Sequence, residues 1–149
     1  MSNKSESLAQ YILWLARNSS ITPMQLLKLA YISHGWMLGL HGKPLINESA
    51  EAWQYGPVIP SIYHKYKKFG GRAITEVPNK EPNNLTDEEK DLIGQVWNIY
   101  GKYTGLQLSA LTHKADTPWG TTRRLVGPGA AISNDLIEDH YRTLAASRT

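Results

Sequence analysis

Cysteine is absent from these 149 residues, which removes disulfides, thiolate nucleophiles and cysteine-based zinc sites together. No apolar run approaches the roughly 18 residues that a membrane helix requires. The opening Met1-Ser2-Asn3-Lys4-Ser5-Glu6 is polar, unlike an export signal, so a cytoplasmic chain without an anchor is expected. A dominant charge is missing too. Sixteen basic and 13 acidic side chains leave a formal +3, too mild a balance to argue for nucleic acid by itself. Internal repeats, heptad arrays and low-complexity segments are lacking, and the length suits one domain with its own core.

What is present is helical periodicity. Leu8, Tyr11, Ile12 and Leu15 recur at i, i+3, i+4 and i+7, which predicts an amphipathic helix ending near Arg17-Asn18-Ser19-Ser20. Thr22, Pro23 and Gln25 fit the N-cap, N1 and N3 positions of a capping box. A second helix should therefore run from Pro23 to about Leu40, with Gly42 as its left-handed stop. Being apolar on almost every side, it belongs at the centre of the fold, and Gly35 and Gly39 leave room for another element to approach. Thr86 with Glu89, and Thr104 with Gln107, form two further capping boxes. The first opens a helix striped with Leu92, Ile93, Val96, Trp97 and Tyr100; the second opens a short helix carrying Leu108 and Leu111. Ser133, with Ile132 and Ile137 as a hydrophobic staple, starts a last helix from Asn134 to about Ala145.

Between these, Glu51, Trp53 and Tyr55 alternate against Ala50, Ala52 and Gln54, which reads as one short strand. Ala73 to Val77 reads as a second strand pairing with it. Pro78 to Asn84 is a loop, and Gly120 to Gly129 reads as irregular. The whole is a single compact domain, mainly α with about six helices and a small two-stranded β element.

Catalytic patterns are weak. His34 and His41 lie seven apart on one helix, roughly 10 Å along its axis, and cannot share a metal through it; His64, His113 and His140 fall on other elements. No metal or cofactor is expected. Ser109, His113 and Asp116 make the best hydrolytic set, yet no Gly-x-Ser-x-Gly elbow or oxyanion loop accompanies them. Gly127-Pro128-Gly129 lacks the Lys-Ser/Thr of a phosphate loop. No catalytic residue is assigned, and the chain is expected not to be an enzyme.

The densest information sits in Trp53-Gln54-Tyr55-Gly56-Pro57-Val58-Ile59-Pro60-Ser61-Ile62-Tyr63. Pro57 and Pro60 fix their own φ and push Gly56 and Ile59 toward extended geometry, so a stiff corner leads into a basic, aromatic helix from Pro60 to Phe69. Trp53 and Tyr55 are either a lid on the core or a rigid ledge for a protein partner, since Trp and Tyr are enriched among interface anchors. In the helix, Lys65, Lys67 and Lys68, with Arg72 beyond it, can meet phosphates while Tyr63 and Tyr66 stack on bases. Alternatively Tyr63, Tyr66 and Phe69 form an inward stripe and the lysines a solvated side.

Together with Thr22-Pro23-Met24-Gln25-Leu26-Leu27-Lys28-Leu29-Ala30-Tyr31, Gly35-Trp36, Leu108-Ser109-Ala110-Leu111-Thr112-His113 and Pro118-Trp119, this corner resembles the Panacea domain, the family of SocA-like antitoxins and of GepA-like proteins borne by phages and genomic islands. The resemblance runs from about residue 8 to 145. It implies a non-enzymatic module that binds and neutralises a protein toxin encoded beside it, with some relatives delivering a toxin to a protease. The expected contact residues are Trp53, Tyr55, Pro57, Tyr63, Lys67 and Trp119. A DNA-binding or regulatory protein is the alternative.

Overall fold

In the computed structural model, residues 3–147 are described. The chain runs through α1 (Asn3–Leu15), α2 (Pro23–His41), β1 (Ala50–Trp53), β2 (Gly56–Val58), α3 (Pro60–Tyr66), a 3-10 turn (Lys67–Phe69), α4 (Asp87–Tyr100), α5 (Gly105–Thr112), α6 (Pro118–Leu125), β3 (Ala131–Ile132) and α7 (Asn134–Ala146). No helix among the described residues is long and apolar enough to cross a membrane.

Helix α2 organises the rest. Its start is the predicted capping box: Thr22 Oγ1 accepts from the Gln25 N–H at 3.3 Å, and Gln25 Oε1 accepts from the Thr22 N–H at 2.8 Å. Every residue from Leu26 to Leu38 is buried, so the helix can stop only by leaving the core, which it does at Gly42 with φ 67°. Helices α1, α4, α5 and α7 wrap it. Burial of each Leu or Ile in such a shell contributes about 1.5–3 kcal/mol.

The Gly35/Gly39 notch receives α7. A Cβ at Gly35 would lie only 2.2 Å from the Tyr141 ring, and one at Gly39 would lie 2.7 Å from the Tyr141 Cβ. Tyr141 in turn meets Trp36 edge-to-face at 5.0 Å, and Trp36 Nε1 donates to Tyr100 Oη at 3.1 Å. On the same helix, buried His34 ties two distant segments. The Leu45 N–H donates to its Nδ1 at 3.1 Å, which leaves the proton on Nε2 to reach Asn134 Oδ1 at 3.0 Å.

The mainly α architecture is as the sequence predicts, with seven α-helices among the described residues. The β element differs in detail. It has three antiparallel strands in the order β2-β1-β3, and Ala73 to Val77 is not one of them. That segment is anchored by the buried Ile74, whose N–H donates to the Ile21 carbonyl, while its place beside β1 is taken by β2 after a two-residue turn. The register pairs Trp53 with Gly56, Ala52 with Pro57 and Glu51 with Val58. Pro57 concealed this strand, because proline is unwelcome within a ladder. Residues 118–125 form α6 rather than an irregular stretch: Thr117 caps it and Pro118 takes its first turn. Its Thr121-Thr122-Arg123-Arg124 interior has no apolar period to announce a helix.

Two outcomes follow from this packing. Gly35→Ala should cost about 2 kcal/mol or more in chemical denaturation, because the Tyr141 ring cannot retreat without lifting α7. Burial holds the His34 pKa below the ordinary histidine value of 6.5, against the Asn134 bond, which raises it. The unfolded chain then binds a proton that the fold resists, so this contribution is present above about pH 6.5 and is lost as pH falls toward the depressed value. Burial lowers His140 as well. Stability measured from about pH 7.5 down to 5 should fall, and His34→Gln should flatten the decline.

Candidate functional site

The β1–β2 hairpin is gripped from three helices. Beneath it, α2 sends up Lys28, which is 1% exposed and donates from Nζ to the Pro57 carbonyl at 2.9 Å. Gly56 makes this approach possible. Its φ of 123° is closed to side chains, and a Cβ there would lie 2.6 Å from Lys28 Nζ. From α5, Ser109 Oγ donates to the Tyr55 carbonyl at 2.7 Å. From α6, Trp119 Nε1 donates to the Trp53 carbonyl at 2.6 Å, and Arg123 Nη1 donates to the Ala52 carbonyl at 2.8 Å.

These bonds also close the sheet edge. Pro57 has no N–H to offer, and Lys28 occupies its carbonyl, so β2 presents little for an incoming strand to pair with. A partner must therefore read side chains here.

Of the six residues singled out in the sequence, Trp53, Tyr55, Tyr63 and Trp119 gather at this hairpin with exposed or partly exposed rings. Tyr55 stands at the tip, 66% exposed. Half-buried Trp53 packs edge-to-face on Tyr63 at 4.9 Å and donates from Nε1 to Glu51 Oε1 at 2.8 Å. Trp119 is also half-buried, with His113 against its ring at 5.3 Å. Lys67 is exposed in the 3-10 turn. Pro57, by contrast, is buried and supports the hairpin from within.

The basic helix is more neutral than its sequence suggests. Lys65 pairs with Glu6 at 3.0 Å and Lys68 with Glu76 at 2.6 Å, while Arg72 donates to the Phe69 and Lys68 carbonyls. Tyr66 is buried, and Tyr63 and Phe69 are half-buried, so the rings form the inward stripe. Ser109, His113 and Asp116 do not assemble as a nucleophile and its base: the Ser109 hydroxyl serves Tyr55, and His113 Nδ1 meets the Ser109 carbonyl. Among the described residues no group of three His, Asp or Glu side chains is placed to hold a metal.

Lys28 and Arg123 were not singled out by the sequence reading. A lysine between Leu27 and Leu29 in a helix apolar all round is a legible anomaly, since burying an ammonium is costly without a partner. Arg123 carried no comparable signal, lying in a stretch without periodicity.

Burial lowers the Lys28 pKa from 10.5 to about 8. The unfolded chain therefore holds a proton that the fold sheds between those values, and stability should rise with pH across that window. Lys28→Met should abolish the rise. At neutral pH its stability should stay within about 1 kcal/mol of the parent, because losing a buried charge offsets leaving the Pro57 carbonyl unbonded. Denaturation midpoints across the window check both.

A model of the family described as antitoxin SocA-like, Panacea domain, matches residues 26–120, a span holding Lys28, the hairpin, α3, Ser109 and Trp119. The chain is also similar to Antitoxin SocA of Caulobacter vibrioides (strain NA1000 / CB15N), with 30% identity over 139 residues, covering 82% of this chain and 72% of that one. No solved structure matches it significantly. By the extent of both matches, this chain belongs to the SocA-like antitoxin, Panacea-domain family.

Proposed function

We propose that this chain neutralises a protein toxin encoded beside it by binding it directly, covering the toxin's active surface with the face built from the β1–β2 hairpin, α3 and α6. The encounter is cytoplasmic and the action is recognition, not turnover. Membership of an antitoxin family supports the functional class. The observation that carries the choice of face is Tyr55: a large ring, 66% exposed, on a hairpin whose backbone is held by Lys28, Ser109, Trp119 and Arg123. A preformed aromatic site loses little entropy on binding, and a single Tyr or Trp anchor contributes about 2 kcal/mol or more. DNA binding through α3 is disfavoured by the glutamates already seated on Lys65 and Lys68.

The test is co-expression with the neighbouring reading frame that arrests growth when expressed alone. Tyr55→Ala should weaken toxin binding by about tenfold or more and reduce rescue, while its melting temperature stays within about 2 °C of the parent. Rescue that survives Tyr55→Ala unchanged would remove this face from the mechanism. Steady toxin levels during rescue mark occlusion; their loss marks delivery to a protease.

A further inference from the structure

Resting on that reading, we propose that Arg123 is the specificity element of the face and receives a carboxylate side chain from the bound partner. Arg123 is half-buried and fixed twice: its guanidinium carbon lies 5.2 Å over the Trp119 ring, and Nη1 donates to the Ala52 carbonyl. That carbonyl also accepts from the Gly129 N–H at 2.8 Å, which draws the Gly127–Gly129 loop to the same spot. Arg123 and Trp53, Gln54, Pro128 and Gly129 line one shallow groove. A guanidinium carries five N–H donors, and one is used.

Lys4, Lys43, Lys65, Lys68, Lys90 and Arg142 each sit on a glutamate. Among the described residues no ion pair engages Arg123, nor its neighbour Arg124, which touches the Ala115 carbonyl at 3.5 Å. Among the described residues Arg17, Lys67, Lys80, Lys102 and Lys114 share with Arg123 the lack of an ion pair, so its place in the groove beside the hairpin is what sets it apart. Two acids border the region: Glu51, with one oxygen held by the Trp53 indole, and Asp116, in the turn before α6. Neither reaches Arg123 as an ion pair. A planar cation stacked on an indole, with its fork free at a groove rim, matches a carboxylate in two parallel bonds.

Apolar Trp53 and Pro128 line the same groove as Arg123, and Val126, three residues on from it, is 75% exposed. The fitting occupant is thus a folded protein surface carrying an acidic residue next to an apolar one. A nucleic-acid backbone fits less well, because it needs a track of free cations, and the α3 lysines beyond the hairpin include two already neutralised by glutamates.

The experiment titrates the neighbouring growth-arresting protein with the parent chain, Arg123→Gln, Arg123→Lys and Tyr55→Ala, at low and high salt. Arg123→Gln should weaken binding about tenfold or more and flatten its salt dependence. Arg123→Lys should fall between. In cells, Arg123→Glu should abolish rescue, and selected toxin variants that regain it should exchange an Asp or Glu for Lys or Arg. If Tyr55→Ala weakens binding while Arg123→Gln does not, the carboxylate inference fails and the binding reading survives; if neither matters, both fail. Should Arg123→Gln lower the melting temperature, Gln54→Glu replaces it. That variant adds a competing carboxylate at the exposed rim without disturbing the Arg123 bonds, and unchanged affinity would overturn the proposal. Arg123-dependent binding of a random-sequence DNA duplex, with no effect on the toxin, would overturn it in favour of phosphate.

Discussion

One hydrogen bond governs the shape of the exposed face: the Lys28 ammonium on the Pro57 carbonyl. Placing a cation inside an apolar helix shell opposes folding, and a single backbone carbonyl compensates only part of that cost. The hairpin must therefore sit where its carbonyl meets the ammonium, or the charge is left bare. A flexible loop would satisfy Lys28 poorly. Gly56 follows from the same demand, because the chain reaches Nζ only with a residue that lacks Cβ and accepts a positive φ. The Tyr55 position is thus set by a bond made two residues later in the core.

The architecture around that bond explains why the face is stiff without any disulfide. The central helix is fixed between α1, α4, α5 and α7, and the Gly35/Gly39 notch locks α7 through Tyr141. Each of the hairpin's supports begins on an element that this packing has already placed. Ser109 reaches Tyr55 because α5 lies against α2, and Trp119 reaches Trp53 because Thr117 and Pro118 start α6 beside β1. The exposed ring inherits its rigidity from the core.

How much of this was legible in the sequence depends on the kind of interaction. Capping boxes at Thr22, Thr86 and Thr104 are local, so they could be read directly and mark real helix starts. The same holds for the left-handed Gly42 and the apolar circumference of α2. The β pairing was hidden because the turn lacks an Asn-Gly signal: neither Gln54 nor Tyr55 has a positive φ, and the left-handed residue is displaced to Gly56. Helix α6 was hidden because packing against β1, β3 and α7, not an apolar stripe, supports it. At the candidate site, the aromatic corner was evident from Trp53, Tyr55 and Tyr63, whereas Arg123 acts across 71 residues on the Ala52 carbonyl. No local pattern encodes that reach. Pro57 shows the converse error, since its rigidity was readable but its burial was not.

The order of those supports along the chain has a consequence for synthesis. Lys28 precedes the hairpin, but Ser109, Trp119, Arg123 and Gly129 follow the hairpin residues they bond by 54 or more residues. A nascent polypeptide still lacking α6 carries the aromatic tip without its outer braces. Capacity to recognise a partner should thus switch on late in translation, and truncated products ending before α6 should be inert decoys rather than weak substitutes.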